Sequence, residues 1–323
     1  MKSYWKLYIT LVLLFLLAGC QGQEPVEVKP YKVVMLLARG GQGDRSFSDA
    51  AYSGLKEVMQ DKRVIAESVP FVSPEVNEEV LVSKIEFGVD LVIGVGYECK
   101  ETIAILAKKY PEVRFGIVDT VVANRKNVTS IVFREEEGDF LMGVVAARLT
   151  KKRKLGFIGG VDIPVVRRIQ QGFIKGVHYV DPTIPVVVKI VGSFGDPETG
   201  KEMAFDLYAS GVDIIYHAAG KTGLGVVEAA GNSDGLTLGA SGDHRNLAPG
   251  SVIGNRPKNV GKAVKMLVQQ GMDGTASNQV ISLGLREHGI LFGPFADWAL
   301  VDGLREELVE LRTKIVNGEL AVN

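Results

Sequence analysis

Carboxylates, an aromatic ring and a lysine recur in this sequence at one kind of position, directly after short runs of Val, Ile and Leu. The run at 32–38 leads into Arg39-Gly40-Gly41-Gln42-Gly43-Asp44-Arg45-Ser46-Phe47, the run at 114–118 into Asp119-Thr120, and the run at 236–240 into Ser241-Gly242-Asp243. A carboxylate so placed either caps a turn or helix or accepts hydrogen bonds from a ligand. Asp44, like Ser46 and Ser48, fits both roles; Asp119 is expected to be a ligand acceptor, with a turn cap as the alternative. Phe47 at a helix mouth is either core or a stacking face. Lys258, in Asn255-Arg256-Pro257-Lys258-Asn259, stands near a helix start, where a cation opposes the helix dipole. It is therefore expected to answer a carboxylate or a ligand acceptor, the alternative being a solvated lysine.

Covalent chemistry finds no matching set. There is no Gly-x-Ser-x-Gly elbow, no His-Glu-x-x-His and no Ser-x-x-Lys with partners, and Cys99 has no matched histidine. Gly220-Lys221-Thr222 invites a phosphate-loop reading, but Ile215 stands where that loop requires glycine. Gly156 and Gly159-Gly160 are wrongly spaced for a dinucleotide fingerprint. The only cysteines, Cys20 and Cys99, build neither a disulfide framework nor a cysteine zinc site, and His178, His217, His244 and His288 are far apart. No cofactor or metal is expected, and His217 is expected to be structural. A carboxylate pair for glycoside hydrolysis remains an alternative, although nothing in the sequence ionises the two acids differently.

The elements that must hold these residues alternate along the chain. In 323 residues, 46% hydrophobic and 23% charged with a formal charge of −1, there is material for two domains and no basic face for nucleic acid. Apolar runs at 32–38, 90–95, 114–118, 154–158, 186–191, 212–216 and 236–240 are continuous, as in parallel strands buried on both faces. Amphipathic stretches at 47–60, 75–86, 99–109, 137–149, 165–179, 200–210, 224–231 and 258–270 separate them. The pattern predicts an α/β fold of two doubly wound lobes around a ligand cleft. The charged run Lys151-Lys152-Arg153-Lys154 marks a restart. Lobe 1 is placed at 31–132, completed by part of about 251–290, and lobe 2 at 133–250, completed by part of about 291–323.

Lys2 and Lys6 precede an apolar run at 7–17 that ends in Leu17-Ala18-Gly19-Cys20. This is a signal peptide over 1–19 whose end resembles a bacterial lipobox, so Cys20 is expected to carry the lipid and 20–30 to be a tether. Cleavage would remove two lysines and take the charge to −3. The protein is then lipid-anchored on the cell membrane, facing the extracytoplasmic side, with Cys99 a small buried hydrophobe.

Taken in order, the lipobox, Gly40-Gly41-x-x-Asp44-x-Ser46-Phe47-Ser48, Val118-Asp119, Phe133-x-Glu135-Glu136-Glu137-Gly138, Gly159-Gly160 with Gly172-Phe173, Ala219-Gly220-x-Thr222-Gly223 and Lys258-Asn259-Val260 resemble the basic membrane protein (BMP) family of substrate-binding lipoproteins. The resemblance implies the type I periplasmic-binding-protein fold, a purine nucleoside as ligand, an ABC permease as partner, no nucleic acid, no catalysis and a monomer. It also implies that Asp44 and Phe47 meet the base, that Asp119 bonds the ligand, that Gly220 lines lobe 2 and that Lys258 reaches ribose oxygens or an acidic neighbour. Two departures stand out: Gly43-Asp44 replaces Asn-Asp, which removes an amide that could read a base edge, and Ala240-Ser241-Gly242-Asp243 replaces Val-Asp-x-Asp, so that ribose recognition is weakened at Ser241 or passed to Asp243, both kept as ligand-binding candidates. An extracellular sensor with the same fold, or a nucleoside or glycoside hydrolase, are the alternative functions.

Overall fold

Eleven strands and nine α-helices are found among the described residues, 29–39, 41–275, 278–300 and 303–322 of a computed structural model. The signal peptide over 1–19, Cys20, nearly all of the tether and Gly40 lie outside them. Strand β1 (Tyr31–Leu36) leads to helix α1 (Phe47–Val58), then β2 (Val64–Val69), α2 (Pro74–Glu86), β3 (Leu91–Val95), α3 (Lys100–Lys109), β4 (Arg114–Val118) and β5 (Val128–Phe133). Next come α4 (Glu135–Leu149), β6 (Leu155–Gly159), α5 (Pro164–Val180), β7 (Val186–Ile190), α6 (Pro197–Ala209), β8 (Ile214–Ala218), α7 (Gly223–Gly231), β9 (Leu236–Gly239) and β10 (Val252–Asn255). Helix α8 (Val260–Met272), β11 (Val280–Leu283) and α9 (Leu304–Asn317) complete the order.

Local chemistry starts these helices where sequence rules place caps. Ser73 accepts the amide of Val76 ahead of Pro74, Asp196 accepts that of Thr199 ahead of Pro197, and Asn259 accepts that of Lys262. The inner strands β3, β6 and β8 are buried at every residue, as parallel strands covered on both faces must be.

All pairings between the named strands are parallel; the isolated bridges Gly254–Phe295 and Lys258–Ile290 are antiparallel. One sheet has the order β2-β1-β3-β4-β5-β11 and the other β7-β6-β8-β9-β10. Each sheet therefore starts with a strand whose two neighbours are the second and third of its own series. The connections leave that first strand in opposite directions, and the resulting gap at the carboxyl ends is where such sheets bind ligands. Two such points, β1/β3 and β6/β8, exist in one chain.

The chain crosses between the two layers three times. After β5 it enters α4, which packs on α5; after β10 it enters α8, which packs on α1, β3 and β4; after β11 it enters α9, which packs on α4. The second sheet extends to Asn255, since β10 pairs with β9. Near the second crossing, Arg256 is fully buried, its Nε donating to Asp139 Oδ1 at 2.7 Å, while the Tyr216 hydroxyl donates to the same oxygen at 2.5 Å. A buried charge pair with these bonds fixes α4, β8 and the crossing segment in one register, and removing either partner would leave a bare charge in the core.

Candidate functional site

Loops from both switch points and from the second crossing enclose a cavity of about 170 Å³, enough for on the order of ten water molecules. Lobe 1 supplies Ala38, Arg39, Asp44, Phe47, Gly96, Glu98 and Asp119; lobe 2 supplies Ile163, Ile169, Phe194, Gly220, Lys221 and Ser241; the crossing supplies Lys258. Of the residues singled out from sequence, Asp44, Phe47, Asp119, Gly220, Ser241 and Lys258 thus share one cavity wall.

Asp44 is held by its own helix. Its carboxylate accepts the amides of Ser46 at 2.9 Å, Ser48 at 2.8 Å and Asp49 at 3.1 Å, satisfying the free N–H groups at the start of α1. Asp49 returns the favour, accepting the amides of Gly43 and Arg45. The two carboxylates fasten the loop after β1 so that Phe47, the first residue of α1, presents its ring to the cavity.

Lys258 is the electrostatic centre. Its ammonium lies 2.6 Å from Asp119 Oδ1 and 2.8 Å from Glu135 Oε1, while Arg168 reaches the other Glu135 oxygen at 3.2 Å. The ammonium also lies 5.5 Å from the Phe47 ring centre and 5.2 Å from that of Phe133. Burial pushes the Asp119 carboxyl above its ordinary range, and neighbouring Glu135 adds to the push against the pull of Lys258. For Glu135 burial also pushes upward, but Lys258 and Arg168 together outweigh it and the net direction is down. Burial pulls Lys258 down and the two carboxylates overcome it, so the lysine stays charged. Asp119 is held in the left-handed region at φ 75°, a conformation that only a well-tied residue keeps.

Lobe 2 offers a different surface. Ile163, Val165, Val166 and Ile169 from the start of α5, with Phe194, Ala218, Ala219 and Ala240, make it mostly apolar; Ser241 and Lys221 are its polar side chains. The Thr222 hydroxyl donates to the Ser193 carbonyl at 2.9 Å and accepts the Asp196 amide at 2.9 Å, tying the Phe194 loop to the turn at Gly220.

Asp243 departs from the expectation and stands outside the cavity lining. Its carboxylate pairs with Arg245 two residues on at 2.8 Å and also takes the Arg245 amide, which holds its pKa below the usual carboxylate range. His217 stands outside the cavity lining: it is buried, with neither ring nitrogen hydrogen-bonded among the described residues, and stacks on His244 with centres 5.7 Å apart, and burial first, then His244, lowers its pKa to about 3. The Cys99 thiol is buried, and that burial raises its pKa to about 12, far from the range of a reactive thiolate. Among the described residues no group of three or more His, Cys, Asp or Glu could hold a metal, and no helix is long and apolar enough to cross a membrane.

The cavity also contains residues that sequence reasoning left aside. Phe194 follows β7 and Glu98 follows β3, so both occupy the same post-strand position that marks Phe47 and Asp119. What the arrangement does chemically is recognise: an aromatic ring on each lobe, hydrogen-bond acceptors and one buried cation, with both lobes contributing to one wall.

The comparisons bear on the family and the fold. Residues 31–323 match the family model Bmp, described as ABC transporter substrate-binding protein PnrA-like. The chain is 29% identical over 315 residues to Basic membrane protein A of Borreliella burgdorferi, covering 94% of this chain and 91% of that protein. It is 30% identical over 321 residues to Basic membrane protein B of the same organism, covering 95% and 92%. An ABC transporter solute-binding protein from Aeropyrum pernix K1 superposes with a TM-score of 0.81 at 26% identity, over 90% of this chain and 93% of that one. Family-wide sequence similarity and the two-sheet fold with its shared cavity therefore identify the chain as a member of the PnrA-like family of ABC transporter substrate-binding proteins.

Proposed function

We propose that the protein is a lipid-anchored extracytoplasmic receptor that captures a purine nucleoside between its lobes and delivers it to an ABC permease. The observation that carries the ligand assignment is the pair of rings, Phe47 from lobe 1 and Phe194 from lobe 2, that face one cavity. Two aromatic walls suit a flat heterocycle, since each base has a stackable face. Asp119, Lys258 and Ser241 then serve the sugar, Gly220 lets the second lobe approach, and Asp44 acts by fixing the loop that carries Phe47. Lobe 1 is the unit at 31–132 with α8 and β11, and lobe 2 the unit at 133–255 with α9; a ligand touching both favours the closed form through the contacts made only there. Cys20 carries the anchor, and the protein acts as a monomer without cofactor or catalysis.

Calorimetric titration with adenosine, guanosine, inosine, uridine, ribose and a panel of sugars tests the reading. Saturable binding of purine nucleosides, with no free base by chromatography, is the expected result. Release of free base would assign the protein to the hydrolases, and binding of a sugar in place of nucleosides would overturn the ligand assignment.

A further inference from the structure

Three acidic side chains line the cavity: Asp44, Glu98 and Asp119. Asp44 is occupied by three backbone amides and Asp119 by Lys258. Glu98 is different. Among the described residues no other residue donates a hydrogen bond to its carboxylate and no cation lies within ion-pair distance; its own backbone amide is its hydrogen-bond partner. The neighbouring cation Arg39 holds its guanidinium 5.4 Å over the Phe71 ring instead.

Glu98 also sits beside the stacking ring. It belongs to the single helical turn Tyr97–Cys99 that follows β3 and opens α3. Gly96 precedes it at φ 99°, where an L side chain is strained, and the point a Cβ would occupy there lies 3.1 Å from Glu98 Oε2, 3.0 Å from Ala38 Cβ and 3.6 Å from Phe47 Cε1. With no side chain at residue 96, nothing of that residue separates the carboxylate on one side from the edge of the aromatic ring on the other. Burial raises the pKa of Glu98, with Asp119 adding to the shift and Arg39 opposing it. A half-buried carboxylate with no partner beyond its own residue has lost part of its hydration, and a ligand that supplies donors restores it.

We propose that Glu98 reads the edge of the ring stacked on Phe47 and selects a heterocycle with two adjacent N–H donors, as guanine presents, over one that places an acceptor there, as adenine does. This rests on the purine-nucleoside assignment above. A carboxylate is acceptor-only, so its two oxygens match the parallel N1–H and N2–H of guanine; adenine offers one N–H and sets the lone pair of N1 against the other oxygen. Hypoxanthine, with N1–H alone, falls between them. A polar site rejects an analogue that leaves its buried groups unpaired far more strongly than an apolar pocket rejects a change of shape.

The test is titration of the full chain in mild detergent, wild type and Glu98→Gln, with guanosine, inosine and adenosine. Wild type is expected to prefer guanosine over adenosine by about tenfold or more, with inosine between. Glu98→Gln, whose amide both donates and accepts, should lose about tenfold in guanosine affinity while adenosine binding holds or improves. Glu98→Ala should weaken guanosine without the gain for adenosine, and equal melting temperatures of the three proteins establish that they fold alike. If both nucleosides bind and the variant leaves their affinity ratio within about twofold of wild type, Glu98 does not read the ring and the nucleoside assignment stands. If wild type binds none of the three, the nucleoside assignment fails and the role of Glu98 fails with it.

Discussion

The backbone carbonyl of Arg45, in the loop after β1, rests against Gly242, in the loop after β9, so closely that a Cβ at residue 242 would overlap the oxygen. His244 reaches the same carbonyl with Nε2 at 3.3 Å. This contact joins the loop after β1 to the loop after β9. Gly242→Ala is therefore expected to hold the cleft ajar, weakening ligand affinity by about tenfold or more with little change in melting temperature. Titration gives the affinity, and small-angle scattering of the ligand-saturated variant should give a larger radius of gyration than wild type. A variant that binds and compacts like wild type would remove this contact from the closure mechanism.

Stacking makes the second prediction. Phe47→Ala and Phe194→Ala should each lower nucleoside affinity by roughly 1–3 kcal/mol, the range found for a base stacked on an aromatic side chain. Phe47→Leu, which keeps apolar volume but removes the flat face, should lose most of the same amount. Unchanged affinity in Phe47→Ala would sink the stacking role.

Lys258 neutralises two carboxylates that have little access to water. Lys258→Met is expected to destabilise the fold by about 3–5 kcal/mol, the cost of leaving buried charge without its partner. Urea unfolding should recover part of that loss as the pH is lowered toward 4, because protonation then removes the stranded charges. Lys258→Arg, which preserves the charge but not the compact ammonium geometry, should cost less. A Lys258→Met protein as stable as wild type at neutral pH would mean that the carboxylates find other donors.

The His217 ring is buried and neutral, its pKa lowered to about 3 by burial first and His244 second. Because the folded value lies below the unfolded one, near 6.5, the stabilising contribution of His217 is present above pH 6.5 and is lost as the pH falls toward the folded value. Between pH 7 and 5 the unfolded chain gains a proton that the folded chain refuses, which is worth about 2 kcal/mol at the 1.4 kcal/mol per unit set by linkage. His244, also lowered by burial, acts in the same direction. Urea unfolding at pH 7 and pH 5 should show this loss in wild type and a smaller one in His217→Gln. The same slope in both proteins would assign the pH dependence elsewhere.

Parts of this architecture are written plainly in the sequence. Most inner strands are legible because burial on both faces favours unbroken apolar residues, as in Leu91–Val95 and Leu155–Gly159, whereas the inner strand β5 carries Thr129 and Ser130 and is not legible as such a run. Strand β2 is an edge strand with exposed Ile65 and Glu67, and β11, at the other edge, exposes Val280 and Ser282, so neither shows such a run. Helix α9 hides its apolar face in a charged sequence: Leu304, Leu308, Leu311 and Ile315 recur at helical spacing among Arg, Glu and Lys. In the site, the rule that functional residues follow strands brings Asp119, Phe47 and Lys258 together, yet it cannot say which acid is already occupied. Asp243 is captured by Arg245, a pairing across two residues that a strand-end rule does not weigh. Phe194 and Glu98 obey the rule without any further mark to set them apart from structural neighbours.

The sheet that begins with β1 ends with β11, and its face is covered by α8. The first half of the chain is thus an unfinished object while it is being made: its edge at β5 stays open until Leu283 has left the ribosome. Neither lobe is a contiguous stretch that can be excised and expected to fold. Such late-closing, long-range pairing slows folding and delays the appearance of a compact form until synthesis is nearly complete. Exchanging one lobe for another by recombination would require three simultaneous joints.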